Sequence, residues 1–187
     1  MALASEPRPH LFSRDEWRLA NETGLFRDIR VELLCGEVVE LSPLGARHQD
    51  AVDRFTLLFV QGLDSRRWRV RVQGPIALND RTEPEPDLAV LRAAGDYTAD
   101  HPGPADVALV IEVADTSWRY DRDRKLPLYA HAAIPEVWLV DLNRRRIEIH
   151  RRPDPEAGVY LEALVALPGS TVTALGELEL AVDAVIV

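Results

Sequence analysis

The chain has 187 residues, 47% of them hydrophobic and 28% charged, with a formal net charge of −9. That balance excludes wholesale disorder and leaves room for a core of ordinary size in a single domain. The excess of acid argues against a general nucleic-acid coat, which needs Lys and Arg against phosphates, but it is compatible with an acidic metal site beside a local basic groove.

Cys35 is the only cysteine, so no intramolecular disulfide forms, and a reduced cytoplasmic protein with a half-buried thiol is the expectation. No apolar run approaches the roughly 18 residues of a membrane span. The N-terminus has no charged-then-apolar signal pattern.

Along the chain, Ser13 followed by Glu16 reads as a capping box that opens a short helix from Arg14 toward Asn21, closed before Gly24. Ile29, Val31 and Leu33 alternate with Arg30, Glu32 and Leu34; Cys35-Gly36 then turns the chain into Val38, Val39 and Leu41, a β-hairpin. Ala46 to Val60 has helical spacing, with Ala51, Val52, Phe55, Leu58 and Phe59 as its apolar stripe and Gly62 as its stop. Trp68, Val70 and Val72 alternate with arginines as in a half-buried strand, and Pro75 to Leu78 continues as strand.

Asp87 to Leu91 and Val107 to Ala114 are short apolar runs, each carrying one acid. Asp121 to Ala132 reads as helix. Pro127 is tolerable in it if Asp123 is the N-cap. Val137 to Asp141 and Arg146 to His150 form a hairpin around Asn143, and Val159 to Leu167 and Leu178 to Val187 complete the strands. This order predicts an α/β or α+β fold with a mixed sheet.

The segment VALVIEVA is apolar except for Glu112, so both of its faces are buried, as in a central strand. A buried ionised carboxylate is costly unless it is paired, ligated or protonated. Asp87, directly after Pro86, raises the same question. Two such acids on neighbouring strands suit a shared divalent cation with hard oxygen ligands; an arginine partner or a backbone cap is the plain alternative for either acid. Asp121, Lys125 and Tyr129, spaced i, i+4, i+8, share a helix face. Of the 22 basic residues all but Lys125 are arginine, which asks whether this position requires a compact ammonium. An Asp121–Lys125 surface ion pair is the competing reading.

The strings PEPDLAVL and LVIEVADTSWRYDRDRKLPLYAHAAIPEVWLVD, with VELLCGEVVELSP and His48 before them, resemble the Uma-two family of restriction-endonuclease-like proteins over roughly residues 12 to 180. The resemblance implies a PD-(D/E)xK core: a mixed β-sheet flanked by helices, with additional β-hairpins. It also implies one restriction-endonuclease-like domain over 1–187, with 1–25 as a helical appendage.

In that pattern Asp87 and Glu112 are the paired acids. Mg²⁺ or Mn²⁺ is the implied metal, with the Val113 carbonyl a third ligand. The general pattern's lysine would fall at Ala114, a departure that Lys125 of the following helix fills. Cys35 stands where the family usually has an acid, Ala133 where a glycine is common, and Val137 where an aromatic is common. The catalytic set is thus Asp87, Glu112 and Lys125, with Glu37, Glu40, His48, Asp121 and Tyr129 as supporting candidates. Arg66, Arg67, Arg69 and Arg71 are candidate phosphate contacts; Arg144 to Arg146 are candidates too, but a solvated hairpin tip is the favoured reading of them.

The implied activity is metal-dependent hydrolysis of phosphodiesters, most naturally in DNA; a homodimer or higher homo-oligomer is the expectation, because cutting two strands suits a two-fold assembly. The alternatives are a non-catalytic interaction protein on the same scaffold and a hydrolase of smaller phosphate esters.

Overall fold

The computed structural model describes residues 8–186. Residues 1–7 of the expected appendage and Val187 of the expected last strand lie outside the described residues. Helix α1 (Arg14–Glu22) begins at Ser13, whose hydroxyl accepts from the Glu16 N–H while the Glu16 carboxylate accepts from the Ser13 N–H. Strands β1 (Val31–Leu34) and β2 (Glu37–Glu40) pair antiparallel. The two residues between them, Cys35 at φ 54° and Gly36 at φ 82°, are both left-handed. This is the type I′ turn whose twist suits a tight hairpin. Cys35 is exposed there, not half-buried.

A six-stranded sheet forms the centre, in the spatial order β3 (Trp68–Val72), β4 (Leu88–Arg92), β5 (Val107–Ala114), β6 (Glu136–Asp141), β7 (Arg146–Asp154) and β8 (Val159–Ala166). β5 and β6 run parallel, and the other four pairings are antiparallel. The parallel pair needs a crossover, which helix α3, spanning 118–131, supplies. Helix α2 (Ala46–Gly62) covers the opposite face, where Phe55 and Phe59 pack edge-on against Trp138. A small hairpin, β9 (Thr171–Ala174) and β10 (Leu178–Ala181), closes that side with Val172, Ala174 and Leu180. This is the expected mixed sheet flanked by helices, with additional hairpins. No helix among the described residues is long and apolar enough to cross a membrane.

Three local expectations are corrected. Pro75–Leu78 is extended but not a strand. The Ile76 and Leu78 N–H groups bond to Pro84 and Thr82 carbonyls, whereas Ala77 bonds to Pro102. Pro84 and Pro86 cannot donate in return, so no ladder propagates. The last strand ends at Ala181; residues Val182–Ala184 form a 3₁₀ turn that buries Val182.

The third correction concerns α3, which starts at Trp118, so that Asp123 is an exposed residue within the helix and not its cap. Its middle, Asp121–Lys125, widens into a π-turn in which the Leu126 N–H reaches back to the Asp121 carbonyl. Pro127 has no N–H, and its ring would strike the Asp123 carbonyl in a regular helix. The wide turn just before it relieves that conflict.

Candidate metal centre

The acids enter the site through sheet register. β4 and β5 pair Leu88 with Ile111, so Asp87, one residue earlier, falls beside Glu112. Beyond Leu88 the β4 backbone leaves the ladder, and the Val113 N–H donates to Asp87 Oδ2 at 2.8 Å instead. Within a strand a residue's N–H and carbonyl point to the same side. The Val113 carbonyl therefore faces the Asp87 side as well.

His48, buried in the first turn of α2, places Nε2 at 3.0 Å from Asp87 Oδ2, and its Nδ1 has no hydrogen-bond partner. A cavity of about 570 Å³ opens at this end of the sheet; its walls include Asp87, Glu112, Val113, His48, Asp121 and Lys125.

Lys125 reaches the site. Its Nζ lies 2.6 Å from Glu112 Oε1 and 3.4 Å from Glu32 Oε2, with almost no exposure. The Tyr129 hydroxyl also donates to Glu112 Oε1. Burial pushes the Glu112 carboxyl up to about 8; the Lys125 ammonium opposes this shift, and Asp121 and Asp87 add to it. Burial disfavours a charged Lys125, but Glu112, Tyr129, Glu32 and Asp121 outweigh it and hold the ammonium well above its ordinary range. Burial likewise raises Asp121, which accepts from the Ser117 hydroxyl at 2.6 Å.

Of the supporting candidates, His48, Asp121 and Tyr129 touch or adjoin the central set. Glu40 lies on the cavity wall, exposed. Glu37 is not brought in: it is exposed and pairs with Arg124 at 3.1 Å.

Sequence reasoning missed Glu32. It is fully buried, takes hydrogen bonds from the Tyr120 hydroxyl at 3.0 Å and the Glu85 N–H at 3.1 Å, and completes the cage around Lys125. The signal was the one that found Glu112, an acid among apolar residues: Leu34, on the same face of β1, is apolar.

The donor chemistry fits a hard divalent cation. The hydrogen bonds to Asp87 engage Oδ2 and those to Glu112 engage Oε1, leaving one oxygen of each carboxylate for a ligand. No group of three or more His, Cys, Asp or Glu among the described residues is placed to hold a metal ion. Asp87 and Glu112, with the Val113 carbonyl, could hold one such ion, since Mg²⁺ is usually bound by one or two carboxylates plus waters and substrate phosphate.

A six-stranded mixed sheet flanked by helices is a restriction-endonuclease-like fold. A solved structure bears this fold out: a protein from Anabaena variabilis ATCC 29413, described as "a putative nuclease belonging to DUF820", superposes with a TM-score of 0.72 at 14% identity, over 93% of this chain and 97% of that one. No curated protein matches the chain. The Uma2 family, described as "Putative restriction endonuclease", matches residues 18–183, and the chain belongs to it.

Proposed function

We propose that the protein is a metal-dependent endonuclease that hydrolyses phosphodiester bonds in DNA. The observation that carries this reading is the Lys125 ammonium, 2.6 Å from Glu112 in a cavity that Asp87 also lines. Asp87 and Glu112 would hold one Mg²⁺ or Mn²⁺, with the Val113 carbonyl beside them. When bound, such an ion lowers the pKa of a coordinated water and polarises the scissile phosphate.

The chain's own residues do the rest. His48 and the Val113 N–H fix the Asp87 carboxylate, as outer partners of metal ligands do. The anions around Lys125 keep it protonated, so its role is to orient the attacking water and to stabilise the charge that develops on the phosphoryl oxygens, not to remove a proton. Ala114 occupies the position where the general pattern has its strand lysine. Lys125 supplies that charge from the helix side.

The test is calorimetric titration of Mg²⁺ or Mn²⁺ into wild type and Glu112→Gln, with plasmid and single-stranded DNA incubated in parallel. Wild type should bind metal and nick plasmid, and Glu112→Gln should bind weakly and lose at least about 100-fold in rate, the scale of one lost electrostatic contact in the transition state. Equal metal binding by both proteins with no nicking removes the proposal. Metal-dependent cleavage of small esters alone transfers it to the smaller substrate class.

A further inference from the structure

A second charged cluster lies just outside the metal cavity. Ser117 lines the cavity, and the next residue, Trp118, opens α3. Three guanidiniums gather over the Trp118 indole: Arg122 at 5.1 Å, Arg144 at 5.1 Å and Arg146 at 5.5 Å from its centroid. Arg122 comes from α3 itself, Arg144 from the β6–β7 turn, and Arg146 from the start of β7. Three like charges around one ring repel one another, and the available acids answer them incompletely. Asp141 takes Arg144 at 3.0 Å and Arg146 at 3.7 Å, Glu148 takes Arg146 at 2.6 Å, and among the described residues Arg122 has only Asp123 at 3.9 Å.

Unmet hydrogen-bonding groups collect at the same place. Among the described residues four buried side-chain atoms lack a partner, and three of them belong to this cluster or adjoin it: Trp118 Nε1, Arg146 Nε and His150 Nε2. The nearest carboxylate oxygens, at 3.7 Å from Arg146 Nε and 3.6 Å from His150 Nε2, are too far to count as hydrogen bonds. Buried donors without acceptors are uncommon and call for a reason. Two buried N–H donors without an acceptor, Trp118 Nε1 and Arg146 Nε, thus lie in the same cluster as two half-exposed guanidiniums, and a tetrahedral oxyanion is a ligand that accepts from such donors.

We infer that Arg122, Arg144, Arg146 and Trp118 form a phosphate-binding cup that holds the backbone of the nucleic-acid strand beside the cut. The inference rests on the nuclease reading of the adjoining cavity. Guanidiniums already lie over the indole, so the ring is not offered to a base, and the cup reads phosphates without regard to sequence. Arg122 and Arg144, with side chains 51% and 60% exposed, keep guanidinium surface open to phosphate oxygens, Arg144 beside its Asp141 partner. A chain of net charge −9 can hold a polyanion only where cations are concentrated in this way.

The test uses the full chain without divalent metal, so that nothing is cut. Affinity for a fluorescently labelled DNA duplex is read by anisotropy across a salt series. The proteins are wild type, R122Q/R144Q and, as a control of equal charge change, R18Q/R152Q, whose arginines pair with Asp100 and Glu162. Each lost phosphate contact takes about one unit from the slope of log affinity against log salt.

R122Q/R144Q should lose about two units and R18Q/R152Q none. If the first double variant unfolds, R122Q alone should lose about one. An unchanged slope in R122Q/R144Q, or the same loss in both double variants, overturns the cup.

Plasmid nicking with Mg²⁺, measured on the same proteins, separates the two readings. A wild type that nicks while R122Q/R144Q binds normally keeps the nuclease and sinks the cup. A wild type that binds through these arginines but never nicks keeps the cup and sinks the nuclease. A wild type that does not bind DNA sinks both.

Discussion

The two faces of the central sheet differ. Toward α2 the strands present Leu88, Val90, Leu109, Ile111, Trp138 and Val140, all buried and all apolar. Toward α3, alternation along the same strands places Glu112 on β5, Asp141 on β6 and Glu148 on β7, each less than a tenth exposed. Asp87 stands just ahead of β4 on that side. The α3 side has an apolar core of its own, with Leu91, Val110, Tyr129, Ile134, Val137 and Leu139 buried, so that face both packs and carries the charges. Apolar residues on both faces fix the register that brings Asp87 next to Glu112.

Substitutions on each face should separate stability from chemistry. Phe55→Ala, on the α2 side, should cost about 3–5 kcal/mol in denaturant unfolding; the folded fraction should still bind metal with wild-type affinity. A comparable loss in metal affinity per folded molecule would show that the faces are not independent.

On the other face, Lys125→Met strips the cation from two buried carboxylates and should cost a similar ~3–5 kcal/mol. The double variant Lys125→Met with Glu112→Gln should recover part of that loss in the same unfolding measurement. Strict additivity would mean that the 2.6 Å contact couples nothing.

His48→Ala removes an outer partner of Asp87 and should weaken Mn²⁺ binding by about 10- to 100-fold, with little change in unfolding free energy. A variant that binds Mn²⁺ as tightly as wild type would reduce His48 to packing.

The smallest effect expected is in pH. Burial lifts Glu112 from 4.5 to about 8, so folding favours its protonated form. Its contribution to metal-free stability is therefore complete below about pH 4.5 and is lost as pH rises toward 8. Asp121 is raised in the same sense. Relative to Glu112→Gln, wild type should lose stability across that window, read as a falling denaturant midpoint; a constant difference between the two proteins would contradict the assignment.

The fold and much of the site were legible in the chain because burial makes charge conspicuous. Glu112 inside VALVIEVA and Asp87 after Pro86 could be found as acids where apolar residues belong, and Lys125 as the only lysine. Glu32 escaped because β1 alternates strongly enough to pass for a hairpin with one wet face, whereas the packing buries both of its sides.

The π-turn was not legible either. Its presence depends on how Pro127 and the site share one helix, and a regular 3.6-residue period describes the flanking residues well enough to hide it. Positions 35 and 133 show the opposite case. Cys35 and Ala133 both adopt left-handed backbone, at φ 54° and 57°. At position 133 this accounts for the glycine that is common in the family. The gathering of arginines on Trp118 needed coordinates, because Arg122 and Arg144 to Arg146 belong to separate elements that only the β5–α3–β6 crossover brings together.

The solitary lysine also has a practical consequence. A lysine-specific protease has a single target bond in the whole chain, the one after Lys125. That bond is sealed within the π-turn, with its side chain almost wholly buried. Cleavage must wait for this helix to open, so one cut, yielding two fragments of unequal size, counts the local openings of the site itself. Slower digestion on adding Mn²⁺ would then be a label-free readout of occupancy, taken at the residue on which the proposed chemistry depends.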